Sequence, residues 1–193
     1  PTPTWLALSA VAGGVWTLLA VALVLRLQIG SVLRPLTLVG GRKGAGVISM
    51  AILTAVAGAI VAVVLQHFFA SGQSPMAKLV STTEGLLAVS LVALLLPVVE
   101  EVYYRGRIFG ALRAYVPAWG AIVVVTVWFA GVHAWQVAGD WIALPVIGAM
   151  GLLWTLIRHY TGSLWPGIIS HTVYNGLIVA VAWISRLSAN AGG

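Results

Sequence analysis

The chain is a succession of long apolar runs broken by short polar punctuation. Stretches free of Asp, Glu, Lys and Arg cover 1–25, 44–77, 85–99, 114–139, 141–157 and 159–185. A helix that crosses a bilayer needs about 20 mostly apolar residues. The runs predict six spans, near 5–27, 47–69, 85–104, 118–138, 141–158 and 165–186. The third has only the uncharged run 85–99 before Glu100. It spans only if its helix continues through the charged motif that follows, which places that motif within or at the edge of the membrane.

The punctuation agrees with these boundaries. Gly40-Gly41-Arg42-Lys43-Gly44 separates the first two runs, and Ser71-Gly72-Gln73-Ser74-Pro75 ends the second. Glycine, proline and small polar residues favour turns over helix interiors. Thr82 or Thr83, ahead of Glu84, is a candidate cap for the third helix. Pro117 suits the first turn of the fourth, and Gly162-Ser163 with Trp165-Pro166-Gly167 marks the entry to the sixth.

Composition moves the pattern from suggestive to decisive. The 193 residues are 61% hydrophobic and 7% charged, against about 25% charged in a soluble domain. Mean hydropathy is +1.05. The expectation is an all-α, polytopic helical membrane protein, with about six transmembrane helices around a polar cavity. Residues 1–193 read as one integral membrane domain, with the motif-bearing core at about 85–186.

The net charge of +6 makes no nucleic-acid footprint, because the basic residues lie scattered between apolar runs. They act as topology signals instead. With the N-terminus outside, the inner side holds Arg26, Arg34, Arg42, Lys43, Arg105, Arg107, Arg113 and Arg158, and the outer side only Lys78 and Arg186. Such a bias predicts an N-out, C-out orientation. Cysteine is absent, which excludes a thiol nucleophile, thiolate ligands and disulfides.

Polar groups inside the spans are costly, so they carry information. In Pro97-Val98-Val99-Glu100-Glu101-Val102-Tyr103-Tyr104-Arg105, half of the chain's four acids stand side by side. Glu101 and Arg105 are four apart and share a helical face, so they can neutralise each other. Glu100 points about 100° away and must find its partner on another helix. A partly desolvated carboxylate without a local partner is the kind of group a general base requires. The bland alternative is a charged helix end at the headgroups. In the fourth span, Phe129 and His133 share a face, with Ala130 and Gly131 permitting close helix approach. In the sixth, His171 and Asn175 stack one turn apart. Taken singly, each polar pair is also what an interhelical clamp looks like. His67 and His159 lie near span ends without polar companions and read as interfacial.

Together the clusters supply the parts for peptide hydrolysis. Glu100, helped by His133, would deprotonate a water. His171 and Asn175 would donate to the developing oxyanion, and Glu101 with Arg105 would brace the motif helix. Two histidines and a carboxylate are equally a catalytic zinc set, so Glu100, His133 and His171 are also candidate ligands for a divalent metal such as zinc.

In these residues the chain resembles the CPBP family of intramembrane proteases, which includes the prenyl-protein (CAAX-type) endopeptidases and bacterial bacteriocin-processing and self-immunity proteins. The pattern is Glu100-Glu101-x-x-x-Arg105, Phe129-x-x-x-His133 and His171-x-x-x-Asn175, in that order. The resemblance implies an intramembrane endopeptidase whose polar cavity opens toward the cytoplasmic side. It implies Glu100 as the water-activating residue, joined by His133, with His171 and Asn175 facing the oxyanion or a metal. It also implies a membrane-associated protein or peptide as substrate and a bacterial inner (cytoplasmic) membrane as location. The chain is short beside eukaryotic relatives, and a bacterial subset of similar size is associated with sorting of C-terminal membrane anchors.

One depth does not match. His133 lies about 24 Å from Pro117 along a straight helix, whereas Glu100 and His171 come out nearer about 10 Å from the same surface. Two rival functions remain at this level. A small proton-coupled transporter also uses intramembrane Glu and His, but would be expected to carry inverted repeats, which the sequence lacks. A noncatalytic peptide-binding immunity or chaperone protein would keep the cavity and not need its chemistry.

Overall fold

The computed structural model of the chain describes residues 41–70 and 74–191, and of 41–43 the backbone only. The predicted span at 5–27, with Arg26 and Arg34, lies outside the described residues. Those described are helical and contain no strand. The protein is an all-helical membrane protein.

The first element, α1 (Gly41–Phe69), carries a stripe of buried small residues: Ala51, Ala55, Ala59 and Ala62. Small residues let helix backbones approach where lipid supplies no hydrophobic drive. Gly58 extends the stripe. A Cβ there would stand 2.5 Å from Met150 Sδ and 3.7 Å from the Tyr174 ring. A short helix, α2 (Pro75–Val80), starts on Ser74, whose hydroxyl accepts from the Ala77 amide. Next comes α3 (Thr83–Glu100), capped by Thr82, which accepts from the Gly85 amide at 3.1 Å. Of the two candidate caps, Thr82 is the one used.

The helix does continue through the charged motif, as the length argument requires, but not as a plain α-helix. Glu101–Ile108 is a π-helical segment, closed by a bond from Phe109 N to Tyr104 O. It leads into α4 (Phe109–Leu112), and Thr83–Leu112 forms one apolar stretch long enough to cross a membrane. Such π-insertions are frequent at functional sites.

The fourth expected span, 118–138, is shorter than read. α5 (Ala118–His133) stops at His133, and 134–139 form turns, with Gly139 at φ 87°. The Asp140 carboxylate then accepts from the Ile142 and Ala143 amides and starts α6 (Ala143–Thr161). This helix ends on Gly162, at φ 68°, where a left-handed backbone suits glycine. The last element, α7 (Trp165–Ala191), runs five residues past the expected end.

Three helical stretches, Gly44–Phe69, Thr83–Leu112 and Trp165–Ala191, are long and apolar enough to cross a membrane. α5 has 16 residues and α6 has 19, or about 24 and 28 Å. α7 is the hub: it packs on α1, α3 and α6, while α5 packs on α6. Phe129, Trp154, Tyr104, Met150 and Tyr174 form the core between them. Leu91, Leu95, Val127 and Leu187 point outward, as lipid-facing side chains do.

Candidate active site

Glu100 ends α3 where the helix widens into the π segment, and Glu101 begins that segment. The two neighbouring carboxylates diverge into different surroundings. Glu101 is fully buried and Glu100 is 14% exposed.

Glu101 belongs to a dense polar network. Its Oε1 accepts from Arg105 Nη1 at 3.1 Å and from His171 Nδ1 at 3.1 Å. Arg105, also fully buried, donates further from Nε to Thr155 Oγ1 at 3.2 Å and from Nη2 to the Gly151 carbonyl at 2.8 Å. Thr155 Oγ1 donates in turn to that carbonyl. The guanidinium lies over the Phe129 ring, 4.3 Å from its centroid. Close packing makes room for all this. A Cβ at Gly151 would meet Phe129 at 2.8 Å, and one at Gly167 would meet Glu101 Oε2 at 2.9 Å. Burying a charge is costly unless it is paired and hydrogen-bonded, and every donor of Arg105 named here is directed at a specific oxygen.

Glu100 faces the two histidines. Its Oε1 is 3.7 Å from His133 Nε2, and its Oε2 is 3.6 Å from His171 Nε2. The other nitrogen of each ring is committed. His133 Nδ1 lies 2.7 Å from the Phe129 carbonyl, which can only accept, so that nitrogen carries the proton. His171 Nδ1 likewise donates to Glu101. In the neutral rings both Nε2 atoms are therefore acceptors. Two imidazole lone pairs and a carboxylate converge, at separations too long for hydrogen bonds between them. Such a set can accept hydrogen bonds from a group placed between its members.

The bond from His133 to Phe129 also takes up about 5 Å, one helical turn, of the mismatch in depth. Helical side chains lean toward the helix N-terminus, and this bond folds the ring back along α5 by a turn. His133 ends α5, yet its ring reaches Glu100. On the other side, His171 is fixed by Trp154 of α6. The indole stacks on the imidazole with centroids 3.7 Å apart and planes 18° apart. Its Nε1 donates to Ser170 Oγ at 3.1 Å.

The fold thus brings together five of the six residues singled out from the sequence: Glu100, Glu101, Arg105, His133 and His171. Asn175 sits one turn beyond His171, but its Nδ2 donates to the Ala93 carbonyl of α3 at 3.2 Å. Sequence reasoning missed Gly151, Trp154, Thr155 and Ser170. The available signal was Trp154, whose N–H lies in mid-span and needs a partner there. Among the described residues, no group of three or more His, Cys, Asp or Glu side chains is arranged to hold a metal ion.

Residues 82–177, which include all six of these positions, match the family model described as "Type II CAAX prenyl endopeptidase Rce1-like". No curated protein and no solved structure matches the chain.

Proposed function

Residues 82–177 belong to the Rce1-like family of type II CAAX prenyl endopeptidases, and we propose that the chain hydrolyses a peptide bond of a membrane-associated protein or peptide. The observation that carries this is the convergence of Glu100 with the Nε2 atoms of His133 and His171, at 3.7 and 3.6 Å. A water among these acceptors has its hydrogens drawn toward Glu100 and the rings, which exposes its lone pair to a scissile carbonyl.

As the O–C bond forms, a water proton passes to Glu100. The oxyanion is met by the second N–H of Asn175, and by His171 Nε2 when that ring has taken up a proton from solvent, to which the proton returns after turnover. The proton held by Glu100 then goes to the leaving amine as the C–N bond breaks. Glu101 and Arg105 take no part in these transfers. They hold the π segment against α6 and fix the tautomer of His171.

A divalent cation such as zinc would draw on Glu100, His133 Nε2 and His171 Nε2 and would polarise the same water. As placed, those side chains do not form a three-donor set, so the steps above use the protein's own groups.

The substrate class is the C-terminal segment of a membrane-associated protein, and a prenylated CAAX peptide is the natural first probe. The basic-residue count favours residues 113–117 and the 162–164 turn on the cytoplasmic side. The setting that the family resemblance suggests is a bacterial inner membrane.

The test uses purified protein in proteoliposomes with a fluorogenic farnesylated CAAX peptide and a peptide carrying a C-terminal membrane anchor. Cleavage of either by the wild type, lost in Glu100→Gln, His133→Ala and His171→Ala with melting unchanged, supports the hydrolase. Proton-coupled flux without cleavage would indicate a transporter. Peptide binding that survives all three substitutions, again without cleavage, would indicate a binding protein. Zinc at one equivalent, with activity lost to a chelator and restored by the metal, would replace the metal-free steps.

A further inference from the structure

We propose that Pro97 is a positioning residue for Asn175. Proline has no N–H, so inside a helix it leaves the carbonyl four residues back without its usual donor. Pro97 lies inside α3 and is buried there, and the carbonyl it deprives is that of Ala93. Asn175 Nδ2, from α7, donates to that oxygen at 3.2 Å. The helices run close together here: a Cβ on the neighbouring Gly176 would stand 3.7 Å from Leu94 Cδ2. A carbonyl within a membrane-spanning helix demands a partner, and a carboxamide one turn from His171 supplies it.

The consequence is chemical as well as structural. A primary amide has two N–H groups and one carbonyl oxygen. With one N–H anchored on Ala93, the plane of the amide is fixed, and the second N–H and Oδ1 keep a set direction beside His171. Pro97 is also three residues before Glu100, close to one helical turn. One imino acid thus ties the amide of α7 to the turn of α3 that presents the general base. At position 97, any residue with an N–H would compete with Asn175 for the Ala93 carbonyl.

The test is a double-mutant cycle of wild type, Pro97→Ala, Asn175→Ala and the double variant, in detergent. Its melting arm stands alone, and its kinetic arm rests on the hydrolase reading. With Pro97 in place, Asn175→Ala strands the Ala93 carbonyl and lowers the melting temperature by about 2–4 °C or more. In the Pro97→Ala background the restored backbone N–H takes over, and the same substitution changes melting little. Equal falls in the two backgrounds would overturn the proposal, whether or not any peptide is cleaved.

With the fluorogenic farnesylated peptide as probe, Pro97→Ala lowers kcat about 10- to 100-fold through a misdirected amide and leaves KM nearly unchanged. In the Asn175→Ala background it lowers kcat no further. Multiplying losses would mean that Pro97 acts through the bend of α3 or through Glu100, and would overturn the assignment to Asn175. Should Pro97→Ala fail to fold, the wild type is read by side-chain amide NMR. One Asn175 proton, shifted further downfield than in a free carboxamide and slow to exchange, is expected; a pair at the positions of a free carboxamide, both exchanging fast, would contradict the proposal.

Discussion

Two glutamates, adjacent in sequence, have opposite fates. Glu101 is fully buried and bonded at 3.1 Å to both Arg105 and His171. Glu100 keeps 14% exposure and meets its two imidazoles only at 3.6 and 3.7 Å. The first carboxylate has Oε1 held by donors from its own helix and from α7, and its Oε2 is buried without a hydrogen-bond partner among the described residues. The second is surrounded by acceptors. A carboxylate held by an arginine stabilises the bundle and has little left to give a substrate. A carboxylate facing two lone pairs is held in readiness for a proton. The chain separates anchoring from reactivity by one residue, because neighbouring helical positions point about 100° apart.

The comparison breaks first at Glu100. Glu100→Gln should lower peptide cleavage about 10²- to 10⁴-fold and leave melting where it was, as read in parallel by the proteoliposome assay and by thermal denaturation in detergent. If melting falls and cleavage survives, the two acids have been assigned the wrong way round. The mirror experiment is Arg105→Met. It leaves Glu101 buried without its cation, and breaking such a pair costs about 3–5 kcal/mol of stability. Denaturant unfolding in mixed micelles measures it.

Smaller substitutions sharpen the contrast. Gly151→Ala places a methyl 2.8 Å from Phe129 and 3.4 Å from Arg105 Nη2. Overpacking of this kind costs about 1–3 kcal/mol, and it should disturb the anchoring side before the reactive one. The smallest effect expected is that of Trp154→Phe. It keeps an aromatic face on His171 and removes the indole bond to Ser170, a loss of about 0.5–1.5 kcal/mol. Pairing it with Ser170→Ala should give less than the sum of the two single losses.

How much of this was legible in the sequence follows from the range of the signals. Helices are local, and among the described residues apolar runs with Gly, Pro and Thr punctuation located their starts well, while the third stretch runs on to Leu112 and the fourth stops at His133. The face-sharing pairs at spacing four were also local, which is why Phe129 with His133 and Glu101 with Arg105 could be paired on paper. The π segment could not be foreseen, because an i→i+5 bond leaves no mark in a hydrophobic pattern. Thr155 and Gly151 contact Arg105 across 50 and 46 residues of sequence, and no spacing rule reaches so far. Asn175 was legible as a polar group aimed at a partner. That the partner was a carbonyl freed by Pro97 depended on how α3 and α7 meet.

The most direct measurement of the central claim follows the oxygen. A single turnover of the farnesylated peptide, or of the membrane-anchor peptide, is run in water enriched in oxygen-18. The products and the tryptic peptide that contains Glu100 are then weighed by mass spectrometry. Water activated by Glu100 predicts one heavy oxygen in the new C-terminal carboxylate, none in Glu100, and product from Glu100→Gln formed about 10²- to 10⁴-fold more slowly. Heavy oxygen in the Glu100 side chain, or labelled product from Glu100→Gln at the wild-type rate, would contradict it.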